Sequence, residues 1–194
     1  MRQLYIHGII TRMLIKIAVL ASILAPSLVL FGAVTTLAHP STMGEYPIVK
    51  SEITTSIKAE RINRQKILTA FFSKNNSPLV KNVNKFVEIA DKYNIDYRLM
   101  PAISCTESSC GKFLIERSHN PFGWGIYGNT VTSFKSYDDA IEKVAQGLSK
   151  GYISKGYDTP EEIGPIYTPP SYTHWMRATR FFMNQIDEIA VSKL

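Results

Sequence analysis

The most constraining feature of this chain is a stretch near its start that contains no charged residue. It extends from Ile17 to Ala38 and reads IAVLASILAPSLVLFGAVTTLA. At about 1.5 Å per residue, a helix of this length crosses a hydrocarbon layer about 30 Å thick. Arg2, Arg12 and Lys16 precede it, and positive flanks stay in the cytoplasm. We therefore predict a single-pass anchor over 17–38 in the cell membrane, a basic cytoplasmic stub over 1–16, and the rest of the chain on the outer face.

The same stretch is compatible with a secretory signal peptide, for which Thr36-Leu37-Ala38 would be a mediocre cleavage site. Its apolar region is longer than the one that such peptides usually carry, which favours a retained anchor. Pro26 is tolerated as a kink in a spanning helix. Either alternative exports the remainder of the chain, tethered in one case and secreted in the other.

The remainder is long enough for one domain with a sizeable core. Residues 39–56 are polar and interrupted by two prolines, which predicts a spacer. Over 57–194 the apolar residues recur at helical spacing, which predicts a mainly α domain. Its helix starts carry capping signals: Ser77-Pro78, Ser136 with Asp139, and Thr159-Pro160-Glu161-Glu162. The last helix presents one apolar stripe: Trp175, Ala178, Phe182, Ile186 and Ile189.

The helical pattern is interrupted between Trp124 and Phe134. Ile126-Tyr127, Gly128-Asn129 and then Val131 suit a small β-hairpin around a glycine-containing turn. The expected fold is therefore α+β, a helical domain with a small β-hairpin lobe.

A lone carboxylate ends one of the helical patterns. Leu99, Ile103 and Glu107 are spaced i, i+4 and i+8, so on a helix they share one stripe of two apolar residues and an acid. Apolar surroundings disfavour a charged carboxylate, so we expect a raised pKa for Glu107 and a proton held near neutral pH. A general acid needs that proton. The alternative is an ordinary glutamate on a solvated helix end.

Three motifs follow one another in the second half of the chain. They are Glu107-Ser108-x-x-Gly111-Lys112, Asn120-x-Phe122-Gly123-Trp124-Gly125, and Ile166-Tyr167-Thr168-Pro169-Pro170-Ser171-Tyr172. Each is weak alone, and their order is more specific. From about Ile57 to the C-terminus the chain resembles the lysozyme-like superfamily of peptidoglycan-cleaving enzymes. Within it, the chain is most similar to the bacterial endo-β-N-acetylglucosaminidases of glycoside hydrolase family 73, and next to the lytic transglycosylases.

The resemblance implies a lysozyme-like fold, with the small lobe facing the catalytic helix. It also implies cleavage of the β-1,4 linkage between amino sugars of peptidoglycan, with Glu107 as the catalytic acid. In both groups a tyrosine at the place of Tyr167 approaches this glutamate, so Tyr167 is the expected helper that orients it or stabilises developing charge. The alternative for Tyr167 is a buried aromatic ring whose hydroxyl is satisfied elsewhere.

Four residues are candidate substrate contacts. Trp124 and Tyr127 would offer flat apolar faces to sugar rings, and Asn120 would contact an acetamido group. Tyr172, at the end of the third motif, is the fourth. Packing in the core is the alternative for each aromatic residue, and Phe122 is expected to pack there.

A second catalytic carboxylate is missing from the sequence where one would be expected. Paired glycosidase carboxylates stand about 5–5.5 Å or 6.5–9.5 Å apart, but no Asp or Glu occurs between Arg117 and Tyr137. A single-acid mechanism is therefore favoured. Capture of the sugar by its own acetamido oxygen or by water would give hydrolysis, and capture by its 6-hydroxyl would give an anhydro product. A third alternative is an inactive glycan-binding scaffold.

No metal, cofactor or nucleic acid is predicted. The four histidines are scattered and form no ligand pattern. Three of the 22 Lys and Arg residues and none of the 16 Asp and Glu residues precede residue 40, so the remainder carries only +3, without a basic cluster. The expected partners are peptidoglycan and, through the N-terminal helix, the membrane.

The two cysteines are five residues apart, out of disulfide reach on one continuous helix. Cys105 and Cys110 can form a bridge only if the helix stops near Ser109, for which Gly111 is a reasonable signal. Both the bridged and the reduced form remain open from the sequence.

Overall fold

The computed structural model describes residues 47–126, 128 and 130–192. Within these ranges the chain is mainly helical, as predicted, and belongs to one compact unit. Its α-helices are α1 Pro47–Lys74, α2 Val83–Tyr93, α3 Leu99–Ser108, α4 Tyr137–Gly151, α5 Pro160–Tyr167 and α6 Tyr172–Ser192. Two 3₁₀-helices, Pro78–Asn82 and Ile153–Lys155, lie between them.

The first helix starts within the predicted spacer. It begins at Pro47, since proline is favoured at the first helical position, and residues 47–56 are therefore helical. The predicted stub, the anchor over 17–38 and residues 39–46 lie outside the described residues. Among the helices that are described, none combines the length and the apolar character needed to span a membrane.

Helix α3 lies at the centre of the unit. Leu99, Ala102 and Ile103 have no exposed surface, and the helix packs against α6. Pro101 stands in its first turn, where the missing N–H costs no hydrogen bond. Because α3 is held by core residues along most of its length, its last turn is fixed in space.

The last turn of α3 ends abruptly. Ser109, Cys110 and Gly111 have φ values of 51°, 62° and 79°, three successive left-handed residues that reverse the chain. This turn brings Cys110 back to Cys105, and the two form a disulfide. The Ser77 hydroxyl donates to the Cys110 carbonyl at 2.6 Å. The bridged alternative is therefore the one that the structure contains.

The predicted caps are present. Ser77 and Ser136 accept hydrogen bonds from Leu79 N and Asp139 N, and Thr159 forms a complete capping box with Glu162. The stripe of α6 is shifted, because Thr179 is fully buried where Ala178 was predicted. The Thr179 hydroxyl lies 3.1 Å from that of Thr106 on α3, so a polar contact occupies this part of the interface.

The predicted β-hairpin is not formed by the described residues. The described residues between 112 and 136 form turns and irregular backbone, and a single one of them, Thr130, is a bridge residue. Gly123 and Gly125 have positive φ values of 60° and 65°, which bend the chain away from extended geometry. The expectation of a hairpin lobe is therefore corrected for the described residues, which form an irregular segment that we call loop 112–136.

Candidate active site

Glu107 opens into a groove at the end of α3. The groove has a volume of about 460 Å³, and Glu107 is solvent-accessible within it. Residues from three parts of the chain line it: Glu107, Gly123, Trp124, Gly125, Ile126, Tyr152, Tyr167 and Thr168. Loop 112–136 thus forms one wall, and the ends of α4 and α5 form the other.

The Glu107 carboxyl has one hydrogen-bond donor among the described residues. The indole Nε1 of Trp175, on α6, donates to Glu107 Oε1 at 2.7 Å. Surrounding protein atoms remove part of the hydration of the carboxylate and raise the pKa of Glu107, while the Trp175 hydrogen bond opposes that rise. No ion pair of the described part of the chain involves Glu107, so no cation holds the carboxylate charged.

The second carboxyl oxygen lies against a glycine. A Cβ placed on Gly123 would stand 3.0 Å from Glu107 Oε2, closer than ordinary van der Waals contact. The positive φ of Gly123 also disfavours any residue with a side chain. The backbone of loop 112–136 can therefore approach Oε2 closely only because residue 123 is a glycine.

Four aromatic rings stand behind and beside the acid. Tyr167 stacks on Trp175 with ring centroids 4.9 Å apart, and it contacts Trp124 and Tyr152 at 6.0 and 6.2 Å. Trp124 in turn lies on Gly147 of α4, where a Cβ would be 2.4 Å from the indole. We refer to Trp124, Tyr152, Tyr167 and Trp175 as the aromatic wall. Trp124, Tyr152 and Tyr167 line the groove with flat apolar surface, and Trp175 is buried against Tyr167.

Tyr167 acts on Glu107 indirectly, through the ring of Trp175. Its hydroxyl donates to the backbone carbonyl of Phe122 at 3.1 Å, while its ring supports the indole that binds Glu107. The residue predicted to orient Glu107 thus lies at the groove, and the observed contact with Glu107 is made by Trp175. The hydroxyl bond also ties α5 to loop 112–136.

Asn120 has a different role from the predicted one. Its side chain is buried, and its Nδ2 donates to the carbonyls of Trp124 and Thr132 at 2.9 Å each. Its Oδ1 accepts from Trp124 N at 3.1 Å. Because these bonds use the amide within the protein, the predicted contact with an acetamido group is corrected: Asn120 fixes the backbone that carries Gly123 and Trp124.

The other candidates divide between the groove and its surroundings. Trp124 lines the groove, and its contact with a sugar ring stays a prediction. Phe122 is fully buried against Phe86, as expected. Tyr172 begins α6 with an exposed side chain and is not among the described residues that line the groove. Tyr127 lies outside the described residues.

Trp175 is the site residue that sequence reasoning missed. Its place in the apolar stripe of the last helix assigned it to the core, and it is indeed only 4% exposed. A buried indole nevertheless carries an N–H that must find an acceptor. That requirement indicates that Trp175 has a polar partner. The sequence does not identify the partner, because Glu107 lies 68 residues earlier in the chain.

Among the described residues that line the groove, Glu107 is the single carboxylate. No group of three or more His, Cys, Asp and Glu residues in the described ranges could hold a metal ion. The arrangement can therefore donate one proton from one acid beside an apolar wall. No protein-family model and no curated protein sequence matches this chain.

Proposed function

We propose that this protein is a glycosidase that cleaves the β-1,4 linkage between the amino sugars of peptidoglycan, with Glu107 as its single general acid. The observation that carries the proposal is a lone carboxyl with a raised pKa in a groove walled by aromatic rings. The order of the three sequence motifs and the lysozyme-like resemblance add the substrate and the reaction. A lysozyme-like relationship of the helical domain belongs to the same proposal.

The groove suits a sugar substrate in two ways. Flat aromatic surfaces such as Trp124 can pack against the apolar faces of pyranose rings, and backbone groups of loop 112–136 can hydrogen-bond to hydroxyl and acetamido groups. Glu107 is solvent-accessible in the groove, so a substrate can reach it. We infer that the predicted N-terminal anchor holds this groove on the outer face of the membrane, where peptidoglycan lies.

Cleavage requires Glu107 in its neutral form. The protonated carboxyl donates to the glycosidic oxygen, the bond from that oxygen to the anomeric carbon breaks, and positive charge develops on the sugar ring. A water molecule then adds to the anomeric carbon, directly or after capture by the acetamido oxygen, and its proton returns to the Glu107 carboxylate. Donor and acceptor of the proton are the same group, so the acid is regenerated.

A lytic transglycosylase reaction is the second candidate, and one observation favours it. Among the described residues that line the groove, no second carboxylate is available to activate water. The sugar's own 6-hydroxyl needs no separate binding site, and its attack on the anomeric carbon closes an anhydro ring. Its proton then passes to the Glu107 carboxylate, as in hydrolysis.

The test is digestion of purified peptidoglycan by the full-length chain, followed by mass analysis of the fragments. Fragments with new reducing ends indicate hydrolysis, and fragments lighter by one water indicate the anhydro product. Glu107→Gln should lower either activity by about 10²-fold or more, the usual contribution of a general acid. Glu142→Gln is the matched control on the outer surface and should cleave at the unaltered rate.

Two outcomes would contradict the proposal. Cleavage by Glu107→Gln at the unaltered rate would remove Glu107 from the mechanism. Binding of peptidoglycan by the unaltered chain without any cleavage would instead support the third alternative, an inactive glycan-binding scaffold.

A further inference from the structure

The hydrogen bond between Trp175 and Glu107 distinguishes the two oxygens of the acid. We propose that Trp175 is a positioning residue that keeps Glu107 Oε1 as an acceptor, so that the transferable proton resides on Oε2, the oxygen beside Gly123. The catalytic part of this inference rests on the proposed function. The assignment of the proton to one oxygen stands on the geometry of the carboxyl group.

The chemistry of the indole gives the first step. A tryptophan Nε1–H donates and cannot accept, so the oxygen that it contacts at 2.7 Å must offer a lone pair. In a neutral carboxyl group the carbonyl-type oxygen is the better acceptor, and the other oxygen carries the hydrogen. The Trp175 contact therefore favours the arrangement in which Oε1 is the carbonyl oxygen and Oε2 is the hydroxyl.

The packing around the indole gives the second step. Trp175 is held by the ring of Tyr167 at 4.9 Å and by Gly164, where a Cβ would be 3.4 Å from the indole. Its backbone N donates to the Ser171 carbonyl at 3.1 Å, in the first turn of α6. The ring is thus fixed before any substrate arrives, and it holds the carboxyl in one orientation at little additional entropic cost.

The surroundings of Oε2 give the third step. Gly123 is the neighbour on that side, and it presents backbone without a side chain at a distance where a Cβ would reach 3.0 Å. Glu107 and Gly123 both line the groove, and Oε1 is already engaged by the indole. A leaving-group oxygen bound in the groove would therefore take its proton from Oε2. The proton is thus held on one defined oxygen: Tyr167 supports the indole of Trp175, which binds Oε1, and Gly123 leaves room for Oε2.

The test replaces Trp175 by phenylalanine in the full-length chain. Trp175→Phe keeps a flat ring against Tyr167 and removes only the N–H donor and the second ring. Because the Trp175 hydrogen bond lowers the pKa of Glu107, the variant should show a higher pKa for this group. The measurement is a carbon-13 NMR titration of the Glu107 carboxyl, assigned with Glu107→Gln. Trp124→Phe is the matched control, since it removes an indole N–H from the same wall and should leave the Glu107 pKa in place.

Enzyme kinetics supply the second readout. A general acid acts while protonated, so the activity of the unaltered chain falls as the pH rises through the Glu107 pKa, and that fall should occur at higher pH in Trp175→Phe. We expect kcat to fall about tenfold, the effect of one lost hydrogen bond, with little change in KM. A Glu107 pKa and a pH profile that are the same in both chains would overturn the inference.

One measurement needs no substitution at Trp175, should that variant fail to fold. The indole ¹H–¹⁵N signal of Trp175 in the unaltered chain should shift with the same midpoint as the Glu107 carboxyl. An indole signal whose chemical shift does not change as Glu107 titrates would also overturn the inference. A titrating indole in a chain that cleaves nothing would preserve the hydrogen-bond assignment and refute the proposed function instead.

Discussion

Glu107 and Glu142 belong to the same residue type and lie in opposite environments. Glu142, on the outer side of α4, contacts Lys85 at 2.8 Å and Lys92 at 2.6 Å, and accepts from the Tyr93 hydroxyl at 2.7 Å. These donors lower the pKa of Glu142 to about 2. Glu107 has the Trp175 indole as its donor and no described cation beside it, and its pKa is raised.

The difference shows what a reactive carboxyl requires. Two lysines around Glu142 make its charged form the stable one at every physiological pH, so it cannot deliver a proton. Partial burial without a cation keeps the neutral form of Glu107 accessible. We call the surface around Glu142 the charged face. It joins α2 to α4 through Lys85, Lys92 and Tyr93. Asn82, at the end of the preceding 3₁₀-helix, adds a hydrogen bond to Asp138 of α4 at 2.8 Å. The groove and the charged face can be compared by matched substitutions.

The largest expected difference in the free energy of unfolding is between alanine variants of two asparagines, Asn120 and Asn82. Asn120→Ala leaves the N–H of Trp124 and the carbonyls of Trp124 and Thr132 without their partners. These groups are partly buried, so each should cost towards the lower end of about 1–3 kcal/mol when unpaired. We expect a loss of about 3 kcal/mol or more in the free energy of unfolding. Asn82→Ala removes an exposed hydrogen bond on the charged face and should cost about 0.5 kcal/mol or less. Urea denaturation of the full-length chain measures both.

Equal and small losses in these two variants would contradict the role given to Asn120. They would mean that the backbone of loop 112–136 keeps its shape without the buried amide. The candidate site would then lose the element that positions Gly123 and Trp124.

Alanine substitutions at two glycines can distinguish the effect of backbone strain from the effect of contact with Glu107. Gly123 and Gly156 have φ values of 60° and 85°, so alanine at either position should lower the free energy of unfolding by about 1–2 kcal/mol. Only at Gly123 does the added methyl approach Glu107 Oε2; at Gly156 nothing lies within 4 Å. We therefore expect Gly123→Ala alone to lower kcat on peptidoglycan, by about tenfold or more, because the carboxyl is displaced. Thermal unfolding and initial rates measure the two effects.

A loss of activity in both alanine variants would assign the effect to strain in the fold. Unchanged activity in Gly123→Ala would show that Oε2 tolerates a methyl group at 3.0 Å. That result would contradict the role given to Gly123, which is to leave room for Oε2 of Glu107.

The helices and their caps were predictable because the signals are local. Ser136 and Asp139, or Thr159 and Glu162, are three residues apart, and the stripe of Leu99, Ile103 and Glu107 needs only helical spacing. These patterns correctly placed a carboxyl at the end of a buried helix. They could not give its donor, because the indole that meets Glu107 comes from a helix packed beside it.

Loop 112–136 was predicted less well, for a different physical reason. Alternating apolar residues favoured a hairpin, yet the side chain of Asn120 takes the hydrogen bonds that a partner strand would otherwise make. Asparagine commonly accepts from the backbone two residues on, and Phe122 N lies 3.4 Å from Asn120 Oδ1. The sequence Asn120-Pro121-Phe122-Gly123 therefore contains a turn signal. The prediction for Asn120 considered only a contact with substrate and did not use that signal.

The smallest expected effect, and the most direct test of the comparison, is the pH dependence of stability in Glu142→Gln and Glu107→Gln. The lowered pKa of Glu142 stabilises the fold above about pH 4.5, and this contribution disappears as the pH falls to about 2. Glu142→Gln should therefore be less stable than the unaltered chain at pH 7, by about 1 kcal/mol or less, and equally stable near pH 2.

Glu107→Gln should show the opposite sign. A raised pKa means that the fold loses stability as the pH rises through it, because the carboxyl must ionise in partly desolvated surroundings. Glutamine removes that loss and can still accept from the Trp175 indole, so Glu107→Gln should match the unaltered chain below about pH 4.5 and exceed its stability at pH 7. Urea denaturation from about pH 1.5 to pH 8 measures both variants. If Glu107→Gln were the less stable variant at pH 7, the charged form of Glu107 would be the favoured one, and the groove would hold an ordinary carboxylate.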